Sequence, residues 1–202
     1  MAVILGITYG TKSDVQRMFQ MVKHRGTEQV QYQNIDTHFM ASARFNRDPT
    51  LTISSGSYKN DNLLIAVAGT VIDKDYKGLS PQEIGEVFEK KGIDFIHDIS
   101  GAYVIAILSK TKLYLFRDPT GQRTIYYHHN HKRLAFCIEA KGIHPLPYYS
   151  PQLDISSIFQ YFTYSFIPLG NTMQEGIKNF RQVLISNLIC IKKQSKLIVI
   201  SN

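Results

Sequence analysis

The order of strand and helix patterns constrains this chain most. Apolar or alternating runs of strand length fall at residues 3–8, 31–33, 38–45, 51–54 and 63–72, and again at 102–108, 112–116, 124–129 and 133–139. Two helix patterns interrupt them before residue 143. A parallel sheet needs a crossover between successive strands, whereas here short turns at Lys110-Thr111 and Asn130-His131-Lys132 join neighbouring runs. The pattern therefore predicts an α+β fold, with two mainly antiparallel sheets packed between helices.

The first helix is expected from Ser13 and Gln16, read as a capping box, with Val15, Met18, Phe19 and Val22 at helical spacing and Gly26 as the stop. Ser80-Pro81-Gln82-Glu83 starts the second, with serine at the cap, proline in the first turn and glutamate closing the box. Ile84, Val87 and Phe88 form its predicted buried face, and Gly92 ends it. After Gly142 the texture changes. His144-Pro145-Leu146-Pro147 reads as an extended linker, and Asp154 caps a helix with the apolar face Ile155, Ile158, Phe159 and Phe162. Phe166-Ile167-Pro168-Leu169-Gly170 breaks that helix, and a hairpin of residues 183–191 and 196–200 follows.

With 202 residues, 44% hydrophobic and 19% charged, the chain has enough apolar side chain to bury a core. No apolar run approaches the length of a membrane span, and the start lacks the basic flank of a signal peptide, so a cytoplasmic protein is expected. Cys137 and Cys190 lie in apolar runs without metal-ligand spacing, which predicts small buried hydrophobes and no metal site. The net charge of +7 comes from scattered residues, and the densest group, Lys192, Lys193 and Lys196, reads as a solvated turn. This balance suits an acidic partner; nucleic acid is not expected, because no stacking motif accompanies the charge.

Arg117-Asp118-Pro119-Thr120-Gly121 precedes Tyr126-Tyr127, Leu134-Ala135-Phe136 and Glu139-Ala140-Lys141 follow, and Ser100-Gly101-Ala102-Tyr103 lies before them. With Thr163-Tyr164-Ser165-Phe166-Ile167-Pro168, Asn171-Thr172 and Gly176-Ile177, these resemble the N-terminal class II glutamine amidotransferase domain of asparagine synthetase-like amide ligases. The resemblance implies an Ntn-hydrolase-like sandwich of two mainly antiparallel sheets flanked by helices. It also implies a division into residues 1–143, the amidotransferase-like domain, and residues 144–202, a linker helix and hairpin leading toward a synthetase domain absent from this chain. Taken alone, the Asp-Pro-x-Gly turn is also simple turn chemistry.

The family opens Met-Cys-Gly-Ile-Phe-Gly, where the cysteine attacks the glutamine amide and its own amine serves as base. Here the opening is Met1-Ala2-Val3-Ile4-Leu5-Gly6, so Ala2 stands where the nucleophile belongs. Ala68-Gly69-Thr70 replaces Asn-Gly-Glu, which removes an oxyanion donor and a carboxylate for the substrate ammonium. Pro81 replaces an aspartate. His24-Arg25-Gly26 matches the family motif, although Thr27-Glu28 replaces Pro-Asp, and Arg44 falls near the arginine that meets the glutamine carboxylate. The lost positions Ala2, Ala68, Thr70 and Pro81 imply no catalytic residue, while His24, Arg25, Arg44 and Gly69 are the candidates for holding a remnant ligand. Thr8 and Thr11 are internal and lack a free amine; His128, His129 and His131 are expected as exposed turn residues.

The resemblance thus implies a glutaminase-inactive scaffold for an ATP-dependent, AMP-forming synthetase partner, with lasso-type peptide macrolactam formation as the favoured example. Macrolactam synthetases of lasso peptides and β-lactam synthetases resemble this pattern. ATP and Mg are expected on the partner and no cofactor in this chain; a precursor peptide is a further expected partner. Two alternatives stay open: a regulatory subunit binding an amino acid or carboxylate, and a glutamine-hydrolysing domain. The cluster Phe159, Tyr161, Phe162, Tyr164 and Phe166 fits either a partner contact or packing of the tail on the domain's own core.

Overall fold

Successive residues of one strand divide between two separate cores. In the strand Leu63–Ile72, Leu64, Ala66 and Ala68 join one buried cluster, while Leu63, Ile65, Val67 and Val71 join another. Side chains alternate across a strand, so a continuous apolar run marks a strand covered on both faces. The computed structural model describes residues 2–44, 54–130, 133–180, 183–187 and 197–200.

Twelve strands are present among the described residues: β1 (Ala2–Ile7), β2 (Glu28–Ile35), β3 (His38–Arg44), β4 (Gly56–Lys59), β5 (Leu63–Ile72), β6 (Ser100–Ser109), β7 (Lys112–Arg117), β8 (Tyr126–Asn130), β9 (Arg133–Cys137), β10 (Ile177–Asn179), β11 (Val183–Asn187) and β12 (Leu197–Ile200). Three helices accompany them: α1 (Lys12–Val22), α2 (Pro81–Lys91) and α3 (Ile155–Tyr164). One sheet has the order β10-β8-β9-β1-β3-β2 and the other β12-β11-β7-β6-β5-β4. The pairings are antiparallel, as in β1 with β3 and β5 with β6. The expected α+β sandwich of two antiparallel sheets is the observed fold.

Val3, Ile4 and Leu5 of β1 share one buried cluster with Leu64, Ala66, Val104 and Ala106 of the other sheet and with Val15 and Met18 of α1. Valine, leucine and isoleucine side chains each contribute about 1.5–3 kcal/mol on full burial. On the outer face of the second sheet, Ile84 and Phe88 of α2 pack with Phe95 and Phe116. The rings of Phe95 and Phe116 meet edge to face at 5.0 Å, a favoured aromatic geometry. Val15, Met18, Phe19 and Val22 of α1 are buried as their spacing predicts.

Local signals place α2 as expected: Ser80 caps it, Pro81 sits in the first turn, Glu83 completes the box and Gly92 ends it at φ 61°. Val87 is half-buried rather than buried. For α1 the cap lies two residues earlier than Ser13 and Gln16 suggest. Thr11 has extended backbone, its hydroxyl accepts from Asp14 N, and the Asp14 carboxylate returns to the Thr11 amide. Aspartate closes the box here in the role usually read from glutamate or glutamine. The helix itself stops at Val22, and a single 3₁₀ turn, Lys23–Arg25, leads to Gly26.

Other boundaries shift. β4 is a strand the apolar pattern misses, because Gly56–Lys59 alternates little. In the run 51–54, Ser54 lies in a turn and residues 51–53 lie outside the described residues, as do Cys190, the lysines at 192, 193 and 196, and His131. β8 begins at Tyr126 and β9 ends at Cys137, leaving Thr124 and Glu139 in the connections. Cys137 is buried as expected, and burial pushes its thiol up to about 12.

Residues beyond 144 return to the sandwich. Leu146 and Tyr149 enter the central core, β10 pairs with β8, and β11 pairs with β7. α3 differs. Ser157 is its buried residue, whereas Ile155, Phe159 and Phe162 are 70%, 71% and 80% exposed. Its predicted apolar face exists, and no described element of this chain covers it.

Candidate functional site

Ala2 starts β1 in one sheet and Ala68 lies in β5 of the other, so packing the sheets brings their methyl groups to one place. Together with Val104 of β6, Ile138, Arg25, Gln122, Arg123 and Thr124 they line a cavity of about 110 Å³. Ala2 and Ala68 are 8% and 4% exposed. Among the described residues no acidic side chain lines this cavity.

The segment 122–124 is held there by the Arg117-Asp118 pair. Asp118 is fully buried; one carboxylate oxygen accepts from Gln122 N at 2.8 Å and Thr120 Oγ1 at 2.8 Å, the other from Arg123 N at 3.0 Å. Burial raises its pKa, but these hydrogen bonds and the neighbouring Arg117 charge outweigh it, and the carboxyl lies below its ordinary value. Arg117 donates to the carbonyl oxygens of Gly121 at 2.6 Å and Phe180 at 2.7 Å, and to that of Arg123. Thr124 Oγ1 donates to Ile138 O at 3.2 Å, tying the segment to the end of β9. The motif that reads as a turn is a scaffold for one cavity wall.

Glu139 is the electrostatic hub that sequence reasoning missed. Arg25 Nε donates to its Oε1, His24 Nε2 lies 3.1 Å from the same oxygen, and Lys141 Nζ lies 3.2 Å from Oε2. Burial raises the Glu139 pKa, and the bonds from Arg25, Lys141 and His24 bring it below its ordinary value. The candidate ligand-holding pair His24-Arg25 is therefore already engaged by a carboxylate of the chain itself. The only sequence signal was the conjunction of Glu139 with Lys141 after β9.

The structure brings together Ala2, Arg25 and Ala68, but not the remaining candidates. Arg44 pairs with Ala2 in register, yet its guanidinium lies over β4, where a Cβ on Gly56 would stand 2.8 Å from Nη2. The Gly69 amide donates to Ser55 Oγ at 3.1 Å, and that hydroxyl donates back to Gly69 O at 2.9 Å. Gly69 has φ 117°, and a Cβ there would overlap Ala102 O, so glycine is required by the backbone. Thr70 is half-buried in β5 and Pro81 buried in α2; neither lines the cavity. Gln122, Arg123 and Thr124 line the cavity without any sequence signal that marks them as site residues.

The other residues weighed as chemical groups have structural partners. Thr8 Oγ1 accepts from Leu134 N at 2.8 Å, and Thr11 caps α1. The expectation that His128 and His129 are exposed turn residues fails, because β8 continues to Asn130. His128 is buried with Nδ1 2.8 Å from Gly176 O, and His129 is half-buried in the same strand.

The sequence profile of the glutamine amidotransferase domain family matches residues 73–196. The chain belongs to this glutamine amidotransferase domain family. Its relative "Asparagine synthetase [glutamine-hydrolyzing] 2" of Bacillus subtilis (strain 168) is 26% identical over 156 residues, covering 68% of this chain and 20% of the relative. The amidotransferase fold is shared with glutamine phosphoribosylpyrophosphate amidotransferase from B. subtilis, solved with ADP and GMP, at a TM-score of 0.54 and 12% identity over 92% of this chain and 47% of that one. A second structure, described as the allosteric regulatory enzyme of purine biosynthesis, gives a TM-score of 0.52 with the same identity and coverage. This chain thus spans about a fifth of the length of its curated relative and just under half of these solved chains. Ala2, His24, Arg25, Arg44 and Ala68–Thr70 precede the segment matched by the family profile.

Among the described residues no helix is long and apolar enough to cross a membrane.

Proposed function

We propose that this chain is a glutaminase-inactive amidotransferase domain serving as the scaffold of an ATP-dependent, AMP-forming amide ligase of the asparagine-synthetase kind. The observation that carries this reading is Ala2, a methyl group in the cavity wall where the family resemblance calls for a thiol. A methyl has neither the lone pair nor the ionisable proton that nucleophilic attack on an amide requires. Two further features support it: the Gly69 amide, a candidate oxyanion donor, is occupied by Ser55, and Ala68 presents no donor beside it.

A scaffold needs a face for its partner. Leu153, Ile155, Phe159, Tyr161, Phe162, Tyr164, Phe166 and Leu169 are all exposed, from 43% to 82%. Aromatic residues dominate the centres of protein interfaces, and this continuous apolar stretch supports contact with the synthetase rather than packing on the domain's own core. Within residues 144–202 it is the α3 segment that would then face that synthetase, which would hold ATP and Mg. A ligase without a glutaminase joins its activated carboxylate to an amine already on the substrate. Closure of a macrolactam on a precursor peptide in the cytoplasm is the example this reading favours.

Purified protein incubated with glutamine should release no ammonia above background; release at an enzymatic rate would remove the inactive-domain reading. Added to a candidate synthetase of the same kind, the chain should bind and raise ATP-dependent amide formation. Absence of both binding and rate change would remove the scaffold reading.

A further inference from the structure

We infer that the cavity between Ala2 and Arg123 binds a short-chain carboxylate that carries no amino group. The inference rests on the reading of an emptied glutamine pocket and assigns it a different occupant.

The cavity is amphiphilic. Ala2, Ala68, Val104 and Ile138, all buried, give its lining apolar surface, and Arg25 and Arg123 line it as well. Glu139 meets both Arg25 and Lys141, and the Asp118 carboxylate is taken up by the backbone amides of Gln122 and Arg123, so neither of these carboxylates is paired with the Arg123 side chain. Arg123 is fixed in place by its backbone, whose amide donates to Asp118 and whose carbonyl accepts from Arg117. Arg123 is half-buried as a residue and forms no ion pair with any described residue. A half-buried arginine lining a cavity with apolar residues is matched by an anion, and a carboxylate offers its guanidinium two acceptors in the plane of the fork.

The same surroundings select against amino acids. An ammonium group would need an acceptor carboxylate, and none lines the cavity among the described residues. A zwitterion would instead set its cation against arginines or alanine methyls, and unmatched charge of this kind discriminates strongly. The volume of about 110 Å³ leaves room for roughly four to six non-hydrogen atoms. A carboxylate with a short unbranched apolar tail, such as butyrate, has that size and polarity.

The test is a titration of the full ¹⁵N-labelled chain, followed by amide shifts, with butyrate, n-butylamine, 4-aminobutyrate, glutamine and inorganic phosphate. Butyrate should bind with Kd on the order of 1 mM, as expected for so few atoms, and shift the amides of Ala2, Ala68 and Thr124. Arg123→Gln should weaken butyrate about tenfold or more, while Arg123→Lys retains most of the affinity, with melting temperatures of both variants near that of the parent. Ala68→Val, which narrows the apolar lining, should weaken butyrate without touching the charge. Equal or tighter binding of glutamine or butylamine would overturn the assignment. Phosphate equal to butyrate, indifference to Arg123→Gln, or no shift at saturating butyrate would do the same. Ammonia release is read separately, so failure of this site and failure of the inactive-domain reading remain distinguishable.

Discussion

Arg117 and Asp118, adjacent in sequence, hold one loop by opposite polarity: the guanidinium collects the carbonyl oxygens of Gly121, Arg123 and Phe180, and the carboxylate collects the amides of Gln122 and Arg123. The Asp118 carboxylate is fully buried, so its removal leaves two backbone donors without their acceptor. Asp118→Ala should destabilise the fold by about 2–4 kcal/mol, read as a lower denaturant midpoint with unchanged slope. Because the folded pKa of Asp118 is below its ordinary value, its contribution is complete above the unfolded carboxylate pKa and fades as pH falls through the folded one. Acid unfolding of Asp118→Asn should accordingly be shallower than that of the parent.

His38 gives a second pH dependence of known sign. It is buried, and its Nδ1 accepts from Tyr9 N at 3.2 Å, which requires the neutral ring with its proton on Nε2. Burial lowers its pKa, with Asp36 opposing. The unfolded chain therefore takes up a proton first, and stability falls as pH drops below about 6.5. Melting temperature measured from pH 8 to pH 5 should decline, and His38→Asn, whose Oδ1 still accepts from Tyr9, should flatten that decline.

Restoring a thiol should not restore hydrolysis. In Ala2→Cys the Gly69 amide remains bonded to Ser55 and the cavity still lacks a carboxylate among the described residues. Loss of an oxyanion donor alone costs on the order of 100-fold to 1,000-fold in rate. Ammonia release by Ala2→Cys should stay within background, and a measurable turnover would contradict this account of the pocket.

Phe159 and Phe162 are 71% and 80% exposed, so neither stabilises the isolated chain. Phe159→Ser with Phe162→Ser should change stability by less than about 1 kcal/mol, since exposed sites away from special features typically change it by about 0.5 kcal/mol each. The same double variant should weaken association with a synthetase partner in sedimentation or calorimetry. A large loss of thermal stability would show instead that this face packs within the chain.

The sandwich was legible because its signals are local and redundant. The run Leu63–Ile72 is apolar at every pleat position except near its end, and Ser80-Pro81-Gln82-Glu83 carries a helix start in four residues. Thr11 and Ser13 are both plausible caps of α1, and backbone conformation, not residue type, chooses between them. The site was less legible. Ala2 and Ala68 were found through the resemblance, but Arg123 and Glu139 acquire meaning only from their neighbours in space.

By itself the sequence determined the antiparallel α+β layering and the absence of a thiol at residue 2, since periodicity and residue identity are properties of the chain alone. Tertiary structure decided that Arg25 is bound to Glu139, that Gly69 is bound to Ser55, and that Arg123 lines the cavity with no ion pair from its side chain to a described residue. It also decided that the apolar stripe of α3 lies exposed. Charge pairing and coverage depend on what distant segments bring together, and a helix pattern records that a face is apolar without recording what meets it.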